Sequence, residues 1–335
     1  MASLIHTLPG IFDQRTEQVV KRKRSRTYSV VSLFSGCGGM DLGFRGGFEV
    51  FGQSYAQLPF EINWANDINP AACKTYRLNL KETIHCADIR DIIDQMPNQA
   101  DVVIGGFPCQ DISINGLRKG VEGAKSGLYR QMVEVVDRCK PKVFVAENVK
   151  GLLQDYNKDS LRQVLADFGD LGYHLSYRVY LAANYGVPQM RERVFIVGTL
   201  PNVRKFNPPS PVMAKGTWMS CEEAIGDLET MDERESFNHL WSRAAISGEQ
   251  GMRKLKADRP SDTIRAEHHG NIQFHYNLPR RISLREAARL QSFPDNFTFA
   301  AKMRETERQI GNAVPPVLAW HIAKAVEESL EQEAI

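Results

Sequence analysis

The sequence predicts an α/β fold built on a mostly parallel sheet covered by helices on both faces. Three observations carry that expectation. Short apolar runs read as buried strands, several of them lead straight into glycine-rich or carboxylate-bearing loops, and amphipathic helical repeats separate them. In such a sheet, ligands bind beyond the carboxyl ends of the strands, where these loops lie.

The elements follow in order. Ser29 to Phe34 (SVVSLF) is a first buried strand, and Gly36, Gly38 and Gly39 follow at once and open a helix. A second strand, Ile62 to Asn66, ends at Asp67, and Pro70 suits the first turn of a helix through Ala72 and Tyr76. Val102 to Ile104 leads into Gly105 and Gly106. Positions 128, 132, 135, 136 and 139 recur with helical spacing, and Val143 to Ala146 resumes as a strand ending at Glu147 and Asn148. Leu161, Val164, Leu165 and Phe168 repeat the helical pattern, and Val194 to Val197 forms a further strand. Beyond Leu200, Pro201, Pro208, Pro209 and Pro211 crowd together and periodicity is weak until Ser283, which places a domain boundary near 200. Val314, Leu318, Ile322, Ala325 and Val326 describe one last amphipathic helix. The expected division is an N-terminal extension (1–28), a main domain (29–200 plus 306–335) and a smaller domain (201–305).

Composition narrows the function. With 335 residues, 42% hydrophobic and 24% charged, the chain can bury a large core. It contains no apolar run near the roughly 18 residues a membrane helix needs, so neither a membrane-spanning nor a largely disordered chain is expected. Its 42 Lys plus Arg against 40 Asp plus Glu leave a net charge of +2, so a nucleic-acid partner must be argued from local features. One such feature is the basic run Lys21, Arg22, Lys23, Arg24 and Arg26, which reads either as a DNA-contacting arm or as a solvated tail. The six cysteines are scattered without a CxxC pair, and the N-terminus lacks a secretory core. A reducing cytoplasm is expected, with no metal site.

Several segments carry possible chemistry. Phe34-Ser-Gly-Cys-Gly-Gly-Met-Asp-Leu-Gly-Phe44 fails the GxGxxG dinucleotide pattern because Asp41 occupies the third glycine's place, which disfavours a pyrophosphate site and a hydride-transferring oxidoreductase. Its glycines still permit close backbone approach to a ligand, and Asp67 could accept hydrogen bonds from ribose hydroxyls; a purely structural loop is the alternative. In Gly105-Gly-Phe-Pro-Cys-Gln110, Cys109 sits on an irregular corner after a strand, as a nucleophile or as a packing residue. Glu147 ends the apolar strand VFVAENV, where a carboxylate is costly to desolvate without a partner or a task, though a strand-end role would also explain it. In Gln189-Met-Arg-Glu-Arg-Val-Phe195, alternation puts Arg191 and Arg193 on one side of a strand, where they either contact an anion or carbonyl or form an exposed charged edge. Arg281-Ile-Ser-Leu-Arg-Glu-Ala-Ala-Arg-Leu-Gln-Ser-Phe-Pro294 reads as a capped helix, and Gly311-Asn-Ala-Val-Pro-Pro316 as a turn before the last helix.

In this order, from about Ser29 to Ala325, the segments resemble the cytosine-5 DNA methyltransferase family. FSGCGGMDLGF is similar to the family's first motif, GGFPCQ to its nucleophile motif, ENV to its carboxylate motif and QxRxR to its arginine motif; REAARLQSFP and GNAVPP resemble its ninth and tenth. The resemblance implies a Rossmann-like methyltransferase sheet that uses S-adenosylmethionine, with a smaller DNA target-recognition domain. It implies that Phe34, Gly36 and Gly38 hold the cofactor's methionine end. Asp67 and Ile68 match the ribose and adenine contacts, and Asp88 and Ile89 the pair at the adenine amino edge. Pro108, Leu128, Asn312 and Val314 match further cofactor contacts. Cys109 matches the nucleophile, Glu147 the carboxylate near N3 of the base, and Arg191 with Arg193 the base and phosphate clamp. Two departures stand out: Ser32 where many members have Asp, and Met190 at a position often basic.

The implied reaction is methyl transfer to carbon 5 of a flipped-out cytosine in double-stranded DNA, through a covalent Cys109–C6 bond, leaving S-adenosylhomocysteine. The segment from about Gln110 to Ser126, with Gly116, Gly120, Gly123, Arg118 and Lys119, matches the family's mobile catalytic loop. In the recognition segment, Arg253, Lys254, Lys256, Arg259, Arg265, His268 and His269 could serve phosphates and base edges, with about half expected to be ordinary surface charge; Trp218 and Trp241 read as core. A monomer is expected, working beside a restriction endonuclease that it does not bind. Two relatives of the same fold are the rival readings: a transfer-RNA cytosine-5 methyltransferase, and a non-catalytic DNA-binding regulator.

Overall fold

The computed structural model describes residues 26–107, 127–243, 253–266 and 273–331. Their strands are β1 (Tyr28–Leu33), β2 (Phe48–Val50), β3 (Gln53–Tyr55), β4 (Phe60–Asp67), β5 (Ile84–Cys86), β6 (Val102–Gly106), β7 (Val143–Val149), β8 (His174–Leu181), β9 (Gln189–Met190), β10 (Glu192–Thr199) and β11 (Ser261–Asp262). Seven of them form one sheet in the order β5-β4-β1-β6-β7-β10-β8. The five strands from β5 to β7 are parallel, and β10 runs antiparallel to both its neighbours. The expectation of a mostly parallel α/β sheet holds.

The described helices are α1 (Gly39–Arg45), α2 (Pro70–Leu80), α3 (Ile89–Ile92), α4 (Leu128–Cys139), α5 (Lys158–Gly169), α6 (Cys221–Ile225), α7 (Leu284–Leu290), α8 (Met303–Asn312) and α9 (Pro316–Glu331). Val30, Val102, Ile104, Val143 and Val145 are buried on one face of the sheet against α1, α2 and α9; Val31, Leu33, Val103 and Phe144 are buried on the other against α3, α4 and α5. Burial on both faces is why these strands read as continuous apolar runs rather than alternating ones. Local signals set the helix starts. Asn69 accepts from the N–H groups of Ala71 and Ala72 with Pro70 beside it, and Ser283 with Glu286 forms a complete capping box.

Several features were not anticipated, among them the short strand β5 and helix α3. The hairpin β2–β3 links the first helix to β4, and β8 closes the sheet as an edge strand whose residues are mostly half-buried or exposed. Helix α8 runs across the expected domain border at 305/306. A third apolar cluster joins Cys221, Ile225, Leu255, Ile264, Leu290, Phe293 and Ile310 with Cys37 of the loop after β1. Residues of the segment 201–305 thus share one core with Cys37 and Ile310, and that core covers the loop after β1. Among the described residues, no helix is long and apolar enough to cross a membrane.

Candidate active site

A cavity of about 670 Å³ opens at the carboxyl ends of β1, β4, β5, β6 and β7, with α8 and the turn after it forming the opposite wall. Its lining includes Phe34, Gly36, Asp67, Ile68, Asp88, Ile89, Leu128, Asn312 and Val314, so nine of the expected cofactor contacts converge on one space.

The loop after β1 takes left-handed backbone conformations at two positions. Phe34 has φ 53° and Gly36 φ 57°, left-handed values that are sterically cheap only for glycine, and Phe34 tolerates one because it packs against the core. The Gly36 N–H donates to Oδ2 of Asp67 at 2.8 Å, while the Asn69 N–H donates to Oδ1 at 2.8 Å. Two backbone donors fix that carboxylate and leave lone pairs for a ligand. Burial pushes the Asp67 carboxyl up, against the pull of both N–H groups. Asp88 caps α3 and is held low by its hydrogen bonds to Arg90, so it stays an acceptor. Ile68, 66% exposed, forms an apolar lip of the cavity.

Gly38 is not among the residues that line this cavity. It adopts φ 93° as the N-cap of α1, and a Cβ there would lie 2.5 Å from Leu80 Cδ1 and 3.0 Å from Tyr76 Cδ2. It is glycine so that α1 can close on α2.

The charged pair sits deeper, where β7 meets β10. Glu147 faces Phe195 in the antiparallel register, so Arg193 is its diagonal neighbour on the same face. Arg193 Nε donates to Glu147 Oε1 at 2.8 Å, with both side chains nearly buried. Burial raises the Glu147 carboxyl, opposed by the charges of Arg193 and Arg191. A Cβ on Gly106 would fall 2.9 Å from Glu147 Oε2, so the second glycine of the GGFPCQ segment makes room for the carboxylate. Asn148, a neighbour the sequence reading left without a role, donates from Nδ2 to the Phe107 carbonyl at 3.0 Å. It thereby anchors the chain two residues before Cys109. Pro108, Cys109 and the loop 110–126 lie outside the described residues, as do Lys21 to Arg24, His268 and His269.

Arg191 does not share the strand face of Arg193 that alternation suggested. It is fully buried and does not line the cavity. Its guanidinium donates to the carbonyls of Ile264 (2.9 Å), Gly311 (2.7 Å) and Ala313 (2.9 Å). The two arginines diverge because Gln189 and Met190 form β9, paired with β11, and the tight Arg191 N–H to Gln189 carbonyl bond at 2.8 Å turns the chain before β10 begins. Strand alternation does not survive that turn. Arg191 braces the end of α8 at Gly311 and Ala313, and Gln189 joins it by donating to the Leu290 carbonyl and to Gln291 Oε1. Arg285 braces three more carbonyls, those of Phe237, Pro294 and Phe297.

In the segment 201–305, Arg253, Lys254, Lys256, Arg259 and Arg265 are exposed. Trp241 carries the Arg280 guanidinium over its ring, 4.3 Å from the centroid, and Trp218 donates to Asn184 Oδ1 at 2.9 Å.

The sequence model of the C-5 cytosine-specific DNA methylase family matches residues 28–250 and 220–328. The type II methyltransferase M.NgoFVII of Neisseria gonorrhoeae is 37% identical over 333 residues, covering 89% of this chain and 86% of that protein. M.BbvI of Brevibacillus brevis is 33% identical over 338 residues, covering 88% and 89%. The crystal structure of the S. pombe Dnmt2 methyltransferase superposes with a TM-score of 0.65 over 90% of this chain and 99% of that one; at 21% identity it speaks to the fold alone. The chain belongs to the C-5 cytosine-specific DNA methylase family.

Proposed function

We propose that the protein is a DNA (cytosine-5-)-methyltransferase acting on a flipped-out cytosine of a specific duplex sequence, with Cys109 as nucleophile. The observation that carries the reading is the Glu147–Arg193 pair, 2.8 Å apart, in the wall of the cavity and beside the strand end that leads into Cys109.

The cavity fits S-adenosylmethionine. Its volume lies within the range of small-molecule sites, the Asp67 carboxylate has lone pairs to spare for ribose hydroxyls, Asp88 is an acceptor suited to an amino edge, and Ile68 and Ile89 are apolar surfaces for a purine. Phe34, Gly36, Leu128, Asn312 and Val314 complete the set, with Pro108 assigned by resemblance. Bound there, the cofactor would supply an electrophilic methyl group on a sulfonium sulfur.

The protein's own groups prepare the base. Carbon 5 of cytosine is a poor nucleophile, and thiolate addition at carbon 6 pushes an electron pair onto the ring and turns it into an enamine. Even at an ordinary pKa of roughly 8.5, a few per cent of a cysteine is ionised at neutral pH and strongly nucleophilic. Glu147, whose burial favours the protonated form, donates to N3 and relieves the added charge; Arg193 polarises O2. Release requires loss of the C5 proton and expulsion of the thiolate. Flipping the base costs on the order of a few kcal/mol, which contacts from the loop 110–126 and the segment 201–305 offset.

As the relatives are type II methyltransferases, we place the protein in a restriction–modification system, as a cytoplasmic, nucleoid-associated monomer whose partner endonuclease acts on the same DNA without binding it. Bisulfite sequencing of DNA from a host expressing the protein tests the activity. Protected cytosines in one short sequence are expected, and their loss in Cys109→Ala; uniform conversion of that DNA would overturn the proposal.

A further inference from the structure

Helix α8 presents Glu305, Arg308, Gln309 and Asn312 to the cavity. The spacing i, i+3, i+4, i+7 defines one face of the helix, while Ile310 packs into the third apolar cluster. On that face Glu305 accepts from Asn69 Nδ2 at 2.6 Å and pairs with Arg308 at 3.4 Å. Gln309 is different. It is 4% exposed, and neither its Oε1 nor its Nε2 has a hydrogen-bond partner among the described residues.

An amide buried without partners is costly, and such a cost in a cavity wall points to a ligand. The backbone carbonyl of Gln309 receives the Cys37 thiol at 3.8 Å, which sets the residue beside the Gly36–Gly39 turn rather than at the Ile68 lip. An amide offers one acceptor and two donors, the complement of a group carrying both an ammonium and a carboxylate.

We infer that Gln309 is a binding residue for the amino-acid head of the cofactor, a role not evident from the sequence motifs. The inference rests on reading the cavity as the S-adenosylmethionine site. Gln309 satisfies its amide on the ammonium and carboxylate of the methionyl portion and makes no contact with ribose or adenine.

Calorimetric titration of the full chain with S-adenosylhomocysteine and with 5′-methylthioadenosine, which lacks the amino-acid head, tests this. In Gln309→Leu the dissociation constant for S-adenosylhomocysteine is expected to rise roughly 10- to 100-fold, as for a lost hydrogen bond to a charged group, while that for 5′-methylthioadenosine stays unchanged. The ligand-free variant should melt at or above the wild-type temperature, since the leucine buries no unsatisfied group. Gln309→Asn, with a shorter reach, should show the same selective loss. Equal weakening of both ligands, unchanged affinity for both, or a lower melting temperature of the free Leu variant would overturn the inference. Failure of the wild-type chain to bind S-adenosylhomocysteine would instead overturn the cofactor reading itself, and this inference with it.

Discussion

Arg193 reaches diagonally from β10 to β7 and donates to Glu147 at 2.8 Å, so the carboxyl that burial drives toward its neutral form is held in orientation by a fixed cation. The pair is positioned by sheet register rather than by loop conformation, which makes its geometry rigid before any ligand arrives. Glu147→Gln keeps the shape and removes the proton donor. Single-turnover methyl transfer should fall by about 10²- to 10⁴-fold, with the melting temperature nearly unchanged. Wild-type turnover in this variant would remove Glu147 from the mechanism.

Arg191 predicts the opposite phenotype. Its three carbonyl partners lie on the segment at 264 and the turn at 311–313, so Arg191→Met leaves buried acceptors stranded. A loss of about 3–5 kcal/mol in urea unfolding is expected, together with weakened cofactor binding through the displaced end of α8. A stable variant with a purely catalytic defect would contradict the bracing role.

Gly106→Ala tests the fit of the carboxylate. The added methyl would lie 2.9 Å from Glu147 Oε2 and must push it aside, since Arg193 holds the other oxygen. Displacement of a reacting group by up to an ångström predicts about a 100-fold loss in rate, while the circular dichroism spectrum is retained. Full activity would show that Glu147 tolerates a different position.

Asp41 predicts a pH-dependent stability. Fully buried beneath the first loop and bonded to the Tyr76 hydroxyl at 2.9 Å, its carboxyl is raised by burial from 3.8 to about 6. Between those values the folded chain holds a proton that the unfolded chain has lost, so stability from this group falls as pH rises through that window and is gone above it. Asp41→Asn keeps an acceptor for Tyr76 and cannot ionise. Its melting temperature should exceed that of the wild type at pH 7 to 8, and the gap should narrow as pH falls toward 4. A variant less stable than wild type at every pH would refute the assignment.

Much of the fold was legible because the central strands are buried on both faces and so appear as unbroken runs of Val, Ile and Leu. Strand β8 was not, since an edge strand with one face open, HLSYRVYL, lacks that signature. The convergence of Phe34, Asp67 and Glu147 followed from their places at strand ends, whereas that of Asp88 followed only from the resemblance, since β5 was not read from the sequence. The packing of Gly38 and Arg191 did not, because each meets partners far away in sequence: Leu80 and Tyr76 for the first, Ile264, Gly311 and Ala313 for the second. Gln309 left a faint trace, a polar residue four positions after Glu305, and only the shape of the cavity gives that spacing a meaning.

The central claim is a transient bond between Cys109 and carbon 6 of the target base, and trapping it is the most direct test. A duplex carrying 5-fluorocytosine at the position identified by bisulfite sequencing, incubated with enzyme and S-adenosylmethionine, should yield a protein–DNA adduct that survives denaturing electrophoresis, because fluorine blocks the final elimination. Cys109→Ala should yield none. An active wild-type enzyme that forms no such adduct, or a Cys109→Ala protein that methylates DNA at the wild-type rate, would contradict the account.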